Sequence, residues 1–449
     1  MKRFRGSSSR RQKNAFAPFV PGAKPFHLTI FLIAFSLVSC GRRSAGPVEI
    51  VYWTGWSSNE FNSQQGLIDE FNRTHPNIHV RLLSQFGNSG YQKVRIAFAG
   101  DSTPDIMSTV WADELASYAQ RGVLTPLDAY LKASGRDFDK EFVPSLRKSL
   151  RVDGQVYGLA VTTNSHFIIY NRDIFEQSHV NENQVLRSPD ALFAASRACT
   201  KAAADGSLIR YGFRPEQLVT WALVFGGKWY DPAKGVITAN DPHNVAALRW
   251  MTSFNKIVDP MKSRSFQASF GSDYSASGPF FVGKVAMRET GEWAGKFLHR
   301  YAPNLRYGFF ALPAPQDGRP GAFYGNGSVF VIPKACRHKE EAWEFLNWIT
   351  SEKPVEKFCE TIGNVPALVA AGQAPAFQKS PLFQFAVALS QGENAVGPPG
   401  IAIWPTYSRE IARTEESVIY GGKDAQNALD ELQRRMETEF RETKEDLSR

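Results

Sequence analysis

Cysteine is scarce in this chain: four residues in 449, with no Cys-x-x-Cys pair. That spacing excludes zinc knuckles and thioredoxin-type redox pairs. Beyond Cys40 only Cys199, Cys336 and Cys359 remain, an odd number, so at least one is unpaired within the chain. A Cys336–Cys359 bridge and small buried thiols are both open readings here. No Gly-x-Ser-x-Gly, His-Glu-x-x-His or phosphate-loop motif occurs, and Gly325-x-Gly327 lacks the third glycine of a dinucleotide fingerprint. His75 and His79 are four apart, but Pro76 separates them and His79 falls in an extended run, so no metal site is expected. No repeat of fixed period is visible. After Cys40 no apolar run reaches the roughly 18 residues of a membrane span.

Charge of one sign is also missing once the N-terminus is set aside. The formal net charge is +8, but residues 1–39 hold seven of the 52 basic residues and no acid. The remainder carries 45 basic against 44 acidic residues. A nearly neutral body of mixed sign lacks the footprint of a nucleic-acid binder, so no nucleic-acid partner is expected.

That basic N-terminus carries the first positive signal. Lys2, Arg3, Arg5, Arg10, Arg11 and Lys13 precede an apolar run over 28–38, followed by Ser39-Cys40-Gly41. A charged region, a short apolar region and small residues at the exit make a secretory leader, too short to span a bilayer. A cysteine at the exit resembles the lipobox of bacterial lipoproteins, in which the thiol is acylated and becomes the first mature residue. The expectation is a leader over 1–39 and a lipidated tether over 40–47. The body is then exported and held by its lipid in the periplasm or on the outer face of the cell membrane.

Periodicity organises the rest. Residues 48–53 form a β-branched and aromatic strand, 64–74 a helix with Leu67, Ile68 and Phe71 on one face, and 78–83 a second strand after Pro76. A helix over 91–99, a strand over 105–110 and a helix over 113–121 continue the alternation, which implies a parallel sheet covered on both faces. Further helices are expected over 188–204, 244–257, 289–300 and 340–350, with strands at 285–288 and 328–332. A last amphipathic helix is capped by Asp424, and its final nine or so residues fray. At about 410 residues the exported body needs two domains or more.

Several segments resemble, in order, the extracellular solute-binding proteins of bacterial ABC sugar importers, of the maltose-binding-protein type. They are Leu67-Ile68-Asp69-Glu70-Phe71 before His75-Pro76-Asn77-Ile78-His79-Val80, then Gly100-Asp101-Ser102-Thr103-Pro104-Asp105-Ile106, and Tyr170-Asn171-Arg172-Asp173. Phe281-x-Gly283-Lys284-x-Ala286-Met287 with Gly291-Glu292-Trp293, and Ala342-Trp343-Glu344-Phe345-Leu346, complete the set. One departure is Leu186-Arg187-Ser188-Pro189, where the family usually has Pro-x-Thr-Trp. The resemblance implies an α/β two-lobe periplasmic-binding-protein fold, type II, with a mostly parallel sheet in each lobe and a ligand cleft at the hinge. Lobe I would take 48–160 and 328–373, and lobe II 161–327 and 374–449. It implies a carbohydrate ligand, ABC permease subunits as partners, a monomer, no catalysis and no cofactor.

Sugars present apolar C–H faces and a belt of hydroxyls, so their sites combine flat aromatics with carboxylates and amides. Trp56 and Glu60 follow the first strand, and Trp111 and Asp113 follow the third, where loops line ligand crevices. Asn164 and Asn326 sit at expected lobe crossings. Trp293 matches the stacking tryptophan of the family, and Trp221, Trp404 and Arg409 complete the expected ligand set. Glu289 and Glu292 suggest the paired carboxylates of a glycosidase, but on an expected helix they share one face and do not flank a bond. A secreted carbohydrate-active enzyme and a receptor for iron or peptide are the alternative readings.

Overall fold

Residues 48–54 bury Ile50 and Tyr52 completely, with Trp53 and Thr54 buried beside them, which makes them the centre of a sheet. The computed structural model describes residues 46–85, 87–100, 102–185 and 187–449. The expected leader, Cys40 and the tether up to residue 45 lie outside the described residues. Strand β1 (Val48–Thr54) pairs in parallel with β2 (Ile78–Ser84), from Val48 opposite Ile78 to Thr54 opposite Ser84, and with β3 (Ile106–Trp111). Helix α1 (Ser58–Thr74) joins β1 to β2 and buries Leu67, Ile68 and Phe71. Helix α2 (Gly87–Ala99) leads into β3, and α3 (Ala112–Ala119) follows it. The first sheet is completed by β4 (Leu159–Ala160) and by a strand from far along the chain, Ser328–Val331, which is antiparallel to both of its neighbours. Tyr52, Phe330, Phe345 and Phe71 meet beneath it with ring centroids 5.0–5.8 Å apart, so distant parts of the chain share one core.

The second sheet departs from the expected mostly parallel arrangement. Strand β5 (Thr162–Thr163) leads through Asn164 to β6 (Phe167–Asn171), the middle of three strands. Its neighbours β7 (Met287–Thr290) and β8 (Tyr307–Phe310) both run antiparallel to it. The reason is directional. The chain leaves the first core along β6 and returns toward it along β7 and β8, with Thr290 beside Phe167 and Phe310 beside Ile168. Helix α4 (Leu218–Val224) and α5 (Ala294–Tyr301) belong to this half. So do α6 (Trp404–Ile419) and α7 (Ala425–Leu447). A separate hydrophobic core gathers there around Trp221, Phe213, Phe254, Trp404 and Tyr407.

Two local expectations change, and one open reading is settled. Residues 289 and 290 continue strand β7 and helix begins only at Ala294, because Glu289 pairs with Ile168 in the ladder. The last helix does start after Asp424, whose carboxylate accepts the Asn427 N–H at 3.0 Å, but it stays helical to Leu447. Cys199, Cys336 and Cys359 are buried and free, so there is no Cys336–Cys359 bridge; Cys359 donates to the Val161 carbonyl instead.

One cap is borrowed. Helix α4 begins after Gln217, whose side chain makes no cap bond, and the Leu218 N–H donates to the Glu415 carboxylate of α6 at 2.8 Å. Burial pushes the half-buried Glu415 carboxyl up to about 7, with nearby Glu289 and Glu216 adding to the effect. The folded chain thus keeps a proton that the unfolded chain releases near pH 4.5. This contribution is complete below that pH and disappears as pH rises through 7. Glu415→Gln keeps the acceptor and loses the titration. The fall in urea-unfolding free energy from pH 5 to pH 8 is expected to shrink by on the order of 1–2 kcal/mol in that variant; an unchanged fall contradicts the assignment.

Candidate functional site

Where the two halves face each other, a cavity of about 1170 Å³ opens. One wall is built from the carboxyl ends of β1 and β3. The Trp56 N–H donates to Thr54 Oγ1 at 3.2 Å and its indole N–H to Ser328 Oγ at 3.3 Å. Its ring meets Trp111 edge-on, centroids 5.7 Å apart, and Phe358 at 6.2 Å. The two tryptophans therefore form a fixed apolar corner. Glu60, in the first turn of α1, and Asp113 and Glu114, in the first turn of α3, add carboxylates. Asp113 is hydrogen-bonded to Asn326, and burial pushes its carboxyl up. Burial and the Asp113 charge push Glu114 up to about 7. Asp113 lies inside the first turn of α3, not at the cap position.

The opposite wall is set by three consecutive residues. A Cβ on Gly291 would lie 2.2 Å from the Trp293 ring and 2.7 Å from the Ser165 carbonyl, so only glycine fits. Trp293 stands at the start of α5, donates its indole N–H to the Tyr274 hydroxyl at 2.7 Å, and meets His166 edge-on at 6.0 Å. Between them Glu292, expected on a helix surface, is completely buried. Its carboxylate accepts the Ser165 N–H and hydroxyl, both at 2.9 Å, and the Asn364 amide and Val365 N–H at 3.3 and 3.4 Å. Burial pushes this carboxyl up. Glu292 thus ties β7 to two segments that link the halves, one leading into β6 and one at Val365–Pro366, where Val365 pairs with Thr163.

The floor is made of crossings. Asn164 Oδ1 accepts the Asn326 N–H at 2.7 Å, and its amide donates to the Tyr324 carbonyl at 3.4 Å. Thr163 Oγ1 donates to the Asn326 carbonyl at 3.4 Å. A Cβ on Gly327 would lie 2.3 Å from the Thr162 carbonyl, which explains glycine there. Asn164 is on the cavity wall, but its amide already latches two strands together.

Of the residues expected to bind ligand, the cavity brings together Trp56, Glu60, Trp111, Asp113, Asn164, Trp293, Asn326 and Arg409. Two are not there. Trp221 is completely buried in the second core, 4.5 Å from Trp250 between ring centroids, and donates its indole N–H to Glu289 at 2.9 Å. Trp404 is also fully buried, donates to the Tyr324 hydroxyl at 2.6 Å, and borders a different cavity with Trp229 and Val396. Each packs against aromatic neighbours within the second core, and burial of the ring outweighs a place at the surface. Glu289 and Glu292 do not line the cavity. Sequence reasoning missed Gln92, Arg95, Lys296, Phe297, Arg300 and Asn364. Lys296 and Arg300 were readable, being three and seven residues past Trp293 on one helical face. Arg95, on α2, carried no local signal.

The Glu292 arrangement is testable. Glu292→Ala strips the acceptor from four buried or half-buried donors and is expected to lower the urea-unfolding free energy by about 3 kcal/mol or more. Glu292→Gln keeps one acceptor and loses less. A loss under about 1 kcal/mol in the alanine variant contradicts the role.

The sequence model of the family described as bacterial extracellular solute-binding protein matches residues 55–356. The maltooligosaccharide ABC transporter solute-binding lipoprotein of Streptococcus pneumoniae (strain ATCC BAA-255 / R6) is 22% identical over 417 residues, 90% of this chain and 93% of that one. The chain spans 61% of the length of the first curated relatives it matches, which are binding proteins from Brucella. Among solved structures, CpMnBP1 with mannotriose bound has a TM-score of 0.76 at 24% identity, covering 86% of this chain and 99% of that one. The sugar-binding protein MalE of Xanthomonas citri has a TM-score of 0.75 at 21% identity, covering 90% and 100%. These likenesses establish the two-lobe α/β fold. With the family model covering most of its length, the chain belongs to the bacterial extracellular solute-binding proteins.

Proposed function

We propose that this protein is the substrate-binding receptor of an ABC-type carbohydrate importer. It takes a sugar or oligosaccharide between its lobes, 48–160 with 328–373 and 161–327 with 374–449, and delivers it unaltered to a membrane permease. The observation that carries this reading is the pairing of indole faces across one large cavity, Trp56 and Trp111 on one wall and Trp293 on the other, among amides and carboxylates. Stacked rings accept the C–H faces of a pyranose, and the polar groups between them take its hydroxyls. The relatives support the same reading: one is a maltooligosaccharide-binding lipoprotein and one holds mannotriose. Nothing in this mechanism asks for a cofactor or a catalytic residue.

Ligand shifts the population to a closed form, because only that form lets both walls hold one molecule. Micromolar affinity corresponds to about 8 kcal/mol net, after closure has been offset. The receptor acts as an exported monomer, with the Cys40 thiol acylated and residues 40–47 as its tether. Seven residues after Cys40 reach about 24 Å at full extension, so the body stays near the membrane and its permease.

A thermal-shift panel of mono- and oligosaccharides identifies the guest. With the best of these, Trp293→Ala is expected to weaken binding more than tenfold in calorimetric titration while the unliganded melting temperature stays within a few degrees. Unchanged affinity removes Trp293 from the site, and release of shortened products from any oligosaccharide revives the enzyme reading. Cys40→Ser is expected to move the protein from the membrane fraction to the soluble exported fraction; retention at the membrane contradicts the lipid anchor.

A further inference from the structure

We propose that the guest is an acidic saccharide, a pyranose bearing a carboxylate or a phosphate, whose anionic group is received between Lys296 and Arg300. This deepens the sugar-receptor reading and rests on it. The starting observation is an imbalance of charge in the cavity. Four cationic side chains line it: Arg95, Lys296, Arg300 and Arg409. Among the described residues none of them has a carboxylate oxygen within 4.0 Å, although ion pairs are formed by many other cations of the chain. Arg95 and Arg409 act on the Glu114 carboxyl, while Lys296 and Arg300 touch neutral groups. Lys296 donates to the Thr361 carbonyl, Arg300 lies over the Tyr301 ring, and Arg409 donates to Thr406 Oγ1 at 3.1 Å.

Three carboxylates share the cavity, and they do not cancel these charges. Burial pushes both Asp113 and Glu114 up, Glu114 to about 7 with the Asp113 charge adding, so Glu114 carries less than full charge near neutral pH. Glu60 is the one acid felt by Lys296, and Arg300 opposes it. Two cations therefore face one carboxylate at this end of the cleft.

Geometry makes this end suitable for an oxyanion. Lys296 and Arg300 are four residues apart on α5, so they stand one above the other on a single face. Like charges at that spacing destabilise a helix by a few tenths of a kcal/mol unless an anion sits between them. Long side chains on a helix lean toward its N-terminus. Here that is the end where Trp293 stands. A sugar ring stacked on Trp293 holds its equatorial substituents near the ring plane, and Lys296, three residues on, lines the same cavity. Arginine offers a planar fork to carboxylate and phosphate alike, while lysine adds a movable point charge.

The test is calorimetric titration of the exported protein with paired probes. One arm sets galacturonate and glucuronate oligomers against their methyl esters; the other sets glucose 6-phosphate against glucose. At least one acid is expected to bind tenfold or more tighter than its neutral partner, with an affinity that falls several-fold between 20 and 300 mM NaCl. The arm that responds distinguishes carboxylate from phosphate. Lys296→Ala/Arg300→Ala is expected to reduce affinity for the acid more than tenfold and for its neutral partner less than twofold. Neutral sugars binding as well as their acidic partners, or equal losses for both in the double variant, overturn the inference and leave the sugar-receptor reading standing. No response to any saccharide overturns that reading as well.

Discussion

A buried carboxylate holds this cleft together. Glu292 is completely removed from solvent and, among the described residues, forms no ion pair, yet it accepts four hydrogen bonds from two chain segments that pass between the halves. Burying an ionised group without a partner is prohibitive, and the cost is met only when every lone pair is used. The hydrogen-bond set therefore fixes where Ser165 and Val365 lie relative to β7. Because Gly291 and Trp293 flank Glu292, the same constraint fixes the indole that faces the cavity. Position at the crossings and position of the cavity-lining ring are one structural decision.

The rest of the site follows from strand direction. Strands β1 and β3 run in parallel and end at the cavity, so the residues just past them, Trp56 and Asp113, arrive there together. In the other half β6 starts at the crossing while β7 and β8 return toward it. The antiparallel sheet thus also ends strands at the cleft, though by a different topology. Two unlike sheets deliver side chains to one cavity because each crossing sets the direction of the strand attached to it. Between them the Asn164 side chain accepts the Asn326 backbone N–H, which keeps the crossings in register.

How much of this could be read from residues alone depends on what each signal measures. The first sheet was legible because alternation of period two and helical spacing report directly on which face is buried; Ile50, Leu67 and Ile78 all behave as that pattern requires. Trp111, Asp113 and Trp293 were legible because they lie at or just past strand ends. Trp221 and Trp404 were not, since a tryptophan in a core and one at a cleft have the same local sequence. Glu292 failed for the opposite reason. Glutamate is almost always exposed unless paired, and its partners lie 127 and 72 residues or more away in sequence. The direction of β7 and β8 was hidden too, because a strand's run of apolar residues carries no sign.

On the proposed receptor reading, the cleft divides its work between rigidity and contact. The polar groups with full sets of partners, Glu292 and Asn164, belong to the crossings and are satisfied before any guest arrives. The groups still open to new partners, Glu60 and the four cations, belong to the walls. Preorganised crossings limit the ordering that closure demands, so more of the contact energy appears as affinity. Unpaired wall charges do the reverse for a wrong guest: a ligand that buries them without supplying an opposite charge bears their desolvation, and discrimination arises from that difference. Selectivity in this cleft is therefore expected to reside in its charged rim, and affinity in its indoles.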